Sequence, residues 1–426
     1  MLNTIVELLK ASGADAWEIT EISERGWEFY CIRHALDQHR AKRLESFQVK
    51  VYKAFEDGKF LGSASASMAP DISREEAARM IADLLRDAVY VQNPAYTLNP
   101  SDGEAYAQSA DIDLGAISRD FLQAMRTLPE TVTEDLNSYE IFVSEMRRRY
   151  LNSNGIDVTA VYPVSQVEAV VNARDEGHEI ELYRLYKSGS CDSAQLRQDL
   201  SELLRFGRDR LRTVTTPSLG QIDVVFSTDA AREIYDWFIY RLSAATIVRG
   251  ISDWKPGVFV SEEMRGDRVT VETRQILPNS SANAAFDTEG AAVRDLTLIA
   301  DGVVRASFGS RQYSQYLGLG DSFIASNFAV SGGGASAEEL RQGRFLEIVE
   351  FSDFQVNVMN GDLGGEIRLG YLHEGDKVTP VSGGSISGTM RELVRTMRFS
   401  REQRQYDTRL IPAVTRLKDV TVTGAE

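Results

Sequence analysis

DSAQLRQDLSELLRFGRDRLRTVTTPSLGQIDVVF, residues 192–226, changes character twice, and those two changes decide the fold. Residues 192–212 carry helical periodicity. The stretch that follows, TVTTPSLGQ at 213–221, is short, polar and broken by Pro217 and Gly220, so it reads as a linker. IDVVF then opens a strand that leads into a helix over 222–249.

On the N-terminal side, Ser73-Arg-Glu-Glu76 has the form of a capping box. AARMIADLLRDAVYV follows at helical spacing until Pro94, which predicts a helix over 73–92. Before it, SFQVKVYKAFEDGKFLGSASASM (46–68) reads as two alternating runs joined at Glu56-Asp-Gly58, a hairpin. A second helix is expected over 113–128. Two or three long strands should cross 138–187, with a tight turn at Asn154-Gly155. On the C-terminal side, 255–426 is rich in glycine and in short alternating runs, with helical pieces expected only near 336–343 and 387–398. The fold class that results is α/β (α+β). An N-terminal domain, 1–212, packs helices on a mixed or antiparallel sheet, and a β-rich C-terminal domain with a few helices spans 222–426.

A chain of 426 residues is long for one core, and its 43% apolar and 26% charged residues are those of a folding protein. The formal charge of −16, from 63 acids against 47 bases, repels a phosphate backbone, so no nucleic-acid partner is expected. The basic runs Arg147 to Arg149 and His39 to Arg43 sit beside strand-like segments and read as solvated strand ends. No apolar run of about 18 residues occurs, and MLNTIVELLKASG lacks the build of a secretory signal; a cytoplasmic location without membrane partners is the expectation. Cys31 and Cys191, far apart and in no CxxC pattern, read as reduced structural thiols.

Several phrases of the second half follow one another in a set order: FDTEG (286–290), LTLIADGVV (296–304), SRQYSQYLGL (310–319), ASNFAVSGGGASAEEL (325–340), NGDLGGEIRLGYLHEGDKVTPV (360–381), SISGTM (385–390) and IPAVTRLKDVTVTG (411–424). In the first half VKVYKAFEDGKFLGSASAS (49–67) and YLNSNG (150–155) belong with them. Together they resemble the TldD/PmbA family, metalloproteases also described as modulators of DNA gyrase, and in particular its TldE branch.

The resemblance implies that catalytic members carry HExxxH on the helix after the first strand of the second domain, with a cysteine near the C-terminus. Two imidazoles and a thiolate hold zinc with one position left for water, and the glutamate takes the water's proton. Histidines at i and i+5 are rotated by about 140° on a regular helix, so that helix must bend or end between them. Here the matching stretch is VVFSTDAAREIYDWFIYRLSAATIVRG, 224–250, which contains no histidine. Gapless matching places Asp236, Trp237 and Arg241 where histidine, glutamate and histidine would stand, and Tyr240 where a bending glycine would. Ala231, Ile234, Phe238, Leu242 and Ala245 form an unbroken apolar stripe, so the helix reads as packing. No cysteine follows Cys191. Accordingly no catalytic residue, no metal ligand and no cofactor are expected in this chain.

The four histidines elsewhere read as structural. His178-Glu179 opens HEIELY, an alternating strand whose neighbours point to opposite faces. His34 and His39 have the right spacing, but Ala35 stands where the base is needed. His373 lies in YLHEGDK, a hairpin turn. Gly332, Gly333 and Gly334 lack the Lys-Ser/Thr of a phosphate loop and read as a loop or a close backbone approach. Asp287 and Glu289 form a D-x-E that the turn at Gly290 explains, leaving them candidate groove or turn residues.

The leading expectation is a non-catalytic, TldE-like subunit that pairs with a TldD-type metalloprotease, or with itself, to process unfolded or leader peptides. Two alternatives stand beside it. One is an active metallopeptidase with atypical ligands such as Asp236 with His373 or Glu374. The other is a homodimeric peptide-binding or scaffold protein without a protease partner.

Overall fold

In a computed structural model of the chain, which describes residues 1–101, 106–108 and 110–425, the helix start expected at Ser73 is in place. The Ser73 hydroxyl oxygen accepts the Glu76 N–H at 3.2 Å and starts the helix Arg74–Ala88. That helix buries Ala77, Ile81 and Leu84, and with Ile5 and Leu9 of the first helix, Leu2–Ala11, it covers Ile19, Val49 and Val51 of the sheet beneath. Asp113 caps the helix Leu114–Arg126 through the Ala116 N–H at 2.9 Å. This helix and Ser193–Arg210 place Phe121, Leu200 and Leu203 on the same face of the sheet, over Ile141, Val143 and Val167.

Among the described residues that sheet has seven strands. Its long members, Ala16–Ile32, Ala35–Phe55, Glu134–Asn152 and Asp157–Arg174, run antiparallel to one another in the order Ala35–Phe55, Ala16–Ile32, Glu134–Asn152, Asp157–Arg174. The predicted hairpin joins Ala35–Phe55 to Phe60–Met68 through Glu56, Asp57 and Gly58, whose φ values of 52°, 54° and 79° make the reversal. Asn154-Gly155 closes the next hairpin, and Glu179–Ser188 completes the third strand of the expected set.

The basic runs are not strand ends. Both lie inside strands of 19 and 21 residues, where cross-strand carboxylates neutralise them: Arg147 meets Glu21 at 2.7 Å, Lys42 meets Glu24 at 3.1 Å and Arg149 meets Asp157 at 2.7 Å. Arg148, on the face opposite to Arg147 and Arg149, reaches into the second half of the chain.

That half is built of strands. Gly220–Phe226 lies between Phe345–Val356 and Thr415–Thr423; the row continues through Ser385–Thr389 to Asp362–Glu374, which pairs back onto Phe345–Val356. These strands close into a small barrel, which leaves its ring without free edges. A second sheet, six-stranded among the described residues, includes Thr270–Arg274, Leu296–Ala300, Asn327–Ser331 and Arg409–Pro412.

Two local expectations fail here. The helix near 336–343 is only a 3-10 turn, Glu339–Arg341, and the piece near 387–398 shrinks to Met390–Leu393 because Ser385–Thr389 is taken into the barrel as a strand. Pairing with Asp362–Glu374 and Thr415–Thr423 overrides the local pattern.

Residues 213–221 are held on both sides. Val214–Thr215 runs parallel to Val381–Ser382, Thr216 is fully buried and donates its N–H to the Ser382 carbonyl at 3.0 Å, and Gly220 already begins the barrel strand. The two halves also share a core, in which Val349 and Leu369 of the barrel pack with Leu200 and Phe206. Among the described residues no helix is long and apolar enough to cross a membrane.

Candidate functional site

Strand Gly220–Phe226 leads into helix Ala231–Arg241, but the expected continuous stripe to Ala245 is interrupted. Ser243 is extended and bridges to Phe308, whose carbonyl takes the Ala244 N–H at 2.8 Å, before Ala244–Val248 resumes as a helix. A tertiary pairing thus ends the first helix where no glycine announces a break. Ala231, Ile234, Phe238 and Leu242 are all buried in the core of the second half.

Asp236, Trp237 and Arg241 lie on this helix and meet separate partners. Asp236 Oδ1 accepts from Arg409 Nε at 2.6 Å; the same guanidinium donates to the Ser326 carbonyl at 2.8 Å and lies 4.9 Å from the Phe328 ring centre. Trp237 is 2% exposed and meets Phe238 and Trp254 edge-on at 5.0 and 5.4 Å. Arg241, 5% exposed, stands over Trp254 at 4.8 Å and Trp237 at 5.4 Å, and donates to Asp253 Oδ1 at 2.7 Å. Burial lowers its pKa from the usual arginine range; Asp253 opposes that and the positive Arg391 adds to it.

The zinc that the resemblance implies for catalytic relatives does not fit these groups. An indole and a guanidinium offer N–H donors and no lone pair, and the one carboxylate, Asp236, is already matched by Arg409. His373 is the last residue but one of strand Asp362–Glu374 rather than part of a turn. Its ring stacks on Phe345 at 4.2 Å and faces Glu347 at 3.7 Å, and burial lowers its pKa. Glu374 pairs with Arg344 at 3.1 Å. His34 meets Glu130 at 2.6 Å, His39 stacks on Phe29 at 4.6 Å, and His178 faces Asp175 in the turn before its strand. Among the described residues no three His, Cys, Asp or Glu side chains gather to hold a metal ion.

The FDTEG turn is the second constellation, and it sits where the halves meet. Asp287 is buried: its Oδ1 accepts the N–H groups of Glu289 at 2.8 Å and Ala291 at 2.9 Å, and its Oδ2 accepts that of Ile324 at 2.7 Å. Burial raises its pKa, against those three backbone donors. Glu289 accepts the Arg311 N–H at 2.7 Å, yet burial, with Asp287 and Glu18 nearby, pushes it up to about 7. Arg148 donates to the carbonyls of Phe286 and Asp287 at 2.9 and 3.2 Å, tying the long sheet to this turn. Beside them Glu18 accepts from both Tyr52 and Tyr150 at 2.6 Å. A cavity of about 130 Å³ opens here, lined by Arg148, Tyr162, Arg274, Thr288 and Asn327 among others. Asp287 is saturated by backbone donors, which is a turn-holding arrangement.

Gly332 and Gly333 are close backbone approaches. A Cβ on Gly332 would overlap the Arg268 carbonyl oxygen and one on Gly333 that of Phe399, while Gly334 is open. The structure brings Asp287, Glu289 and Gly290 together, joins them through Ile324 and Ser326 to the Arg409 that holds Asp236, and leaves the glycines apart. Sequence reasoning missed Arg409, Asp253, Trp254, Arg391 and Glu18. Arg409 stands near the C-terminus, where the resemblance implies a cysteine in catalytic members, and that position was the available clue.

Residues 219–424 match the PmbA/TldA metallopeptidase C-terminal domain. Through that domain its second half belongs to the TldD/PmbA family. A shared fold extends through both halves: TldE from Thermococcus kodakarensis aligns at a TM-score of 0.77 with 15% identity, over 99% of this chain and 100% of that one. A proposed modulator of a DNA gyrase from Thermotoga maritima aligns at 0.76 with 16% identity, over 100% and 99%. Another from Bacteroides thetaiotaomicron gives 0.77 and 17%, over 99% and 98%. At such identities the likeness is one of fold. No curated protein matches the sequence.

Proposed function

We propose that this chain is a non-catalytic, TldE-like subunit of a TldD/TldE-type metalloprotease complex that handles unfolded or leader peptides. The observation that carries the reading is the Asp236–Arg409 ion pair with its neighbour Arg241. The helix and the C-terminal segment, which zinc joins in catalytic members as the resemblance implies, are here joined by a carboxylate and a guanidinium. Buried positive charge at Arg241 also repels a divalent cation. The partner is a TldD-type subunit bearing HExxxH, the substrate an extended peptide able to hydrogen-bond strand edges, and the compartment the cytoplasm, where Cys31 and Cys191 stay reduced.

Co-expression with an HExxxH-bearing relative tests this. The expected result is a mixed complex that hydrolyses an unfolded peptide, whereas the chain purified alone carries no stoichiometric zinc and does not turn over. Zinc with turnover in the lone chain defeats the reading in favour of atypical ligands. A homodimer that ignores the relative defeats it in favour of a scaffold.

A further inference from the structure

Two buried donors on helix Ala231–Arg241 have no acceptor among the described residues: the indole Nε1–H of Trp237 and the guanidinium Nε–H of Arg241. Each residue is more than nine-tenths buried. Native proteins seldom leave such groups unmatched, and a polar group without a partner calls for an explanation. The two residues are one helical turn apart, at i and i+4, and so share a face.

A second cation lies beside them. A Cβ placed on Gly361 would lie 3.4 Å from Trp237 Nε1 and 3.6 Å from Arg391 Cγ, so the indole N–H and the Arg391 side chain flank the same bare glycine. Arg391 is near enough to Arg241 for the two charges to repel. The Trp237 and Trp254 rings, set at 84° to each other, hold the Arg241 guanidinium carbon at 5.4 and 4.8 Å from their centres.

The balancing anion is Asp253, on the loop between Ala244–Val248 and Thr270–Arg274. Its side chain is 87% exposed while that of Arg241 is 6% exposed, so the mouth of the site faces solvent where the Asp253 carboxylate stands. A donor set of this sign takes an oxyanion, and a planar guanidinium suits a carboxylate best.

We propose that Trp237, Arg241 and Arg391 form a carboxylate-binding site, that Asp253 engages only its Arg241 edge in the resting chain, and that the carboxylate of a bound peptide displaces it. That the ligand is a peptide rests on the subunit reading above; that it is a carboxylate rests on the donors alone.

Calorimetric titration of the full chain tests both parts, using acetate, a hexapeptide with a free C-terminus, the same hexapeptide amidated, and an amidated one with an internal glutamate. Asp253 and Arg391 are exposed, so Asp253→Asn and Arg391→Ala keep the fold, which a thermal melt verifies. The expected result is that Asp253→Asn binds the free-acid hexapeptide about tenfold more tightly than the unaltered chain, and that Arg391→Ala added to it loses the gain. The two amidated peptides then tell a C-terminal from a side-chain carboxylate. Equal affinity for all three peptides, or no effect of Asp253→Asn, overturns the site. Binding of acetate without any peptide keeps the site and overturns the peptide reading.

Discussion

The backbone of Gly290 is pressed against the ring of Tyr150: a Cβ on this glycine would lie 2.8 Å from Tyr150 Cδ1 and 2.9 Å from Ile156 Cγ2. Its φ of +73° also lies in the left-handed region. Space and backbone therefore both demand glycine at the point where the FDTEG turn meets the long sheet. Gly290→Ala should destabilise the chain by about 2–4 kcal/mol, as overpacking and left-handed strain add. Urea unfolding measures this, and a loss near zero would mean that the halves are free to part at this contact.

Glu289 makes that junction sensitive to pH. Burial disfavours its ionised form, so the folded chain retains a proton that the unfolded chain releases. The stability it contributes is complete below the ordinary carboxylate value of 4.5 and is lost as pH rises through about 7. Asp287, raised for the same reason, acts with the same sign. Glu289→Gln keeps an acceptor for the Arg311 N–H. It should match the parent near pH 4.5 and exceed it by about 1–3 kcal/mol at pH 8. Thermal melts across that range decide, and parallel curves for the two proteins would remove Glu289 as the cause.

The glycine triplet supplies its own control. Gly333→Ala drives a methyl group into the Phe399 carbonyl and should cost about 2–4 kcal/mol, whereas Gly334→Ala meets open space and should stay within about 0.5 kcal/mol. Chemical denaturation of the two variants, compared side by side, checks the difference.

Breaking one half of the Asp236–Arg409 pair leaves a partly buried charge unmatched, since the side chains are only 22% and 17% exposed. Asp236→Asn and Arg409→Gln should each destabilise by roughly 1–3 kcal/mol, and the double variant by less than their sum. A double-mutant cycle in urea reads the coupling; strict additivity would show that the pair does not hold helix and C-terminal segment together.

What the sequence determined by itself was local and periodic. Ser73 caps a helix, a second helix lies within the expected 113–128, Glu56-Asp-Gly58 and Asn154-Gly155 turn hairpins, and the order of motifs from FDTEG to IPAVTRLKDVTVTG marks the family, because each depends on neighbours within a few residues or on order along the chain. The absence of histidine from 224–250 was equally plain. Only the tertiary structure decided the rest. Met390–Leu393 is a short helix because the preceding residues pair as a strand with partners some 20 and 35 positions away. Helix Ala231–Arg241 stops because Phe308 captures the next segment. Arg409 finds Asp236 across 173 residues, and Arg241 finds its aromatic walls and Asp253 through a loop that no periodicity describes. Charge pairing and backbone capture act through distance in space, and the distances that matter here are set by the closure of the barrel, which no local stretch encodes.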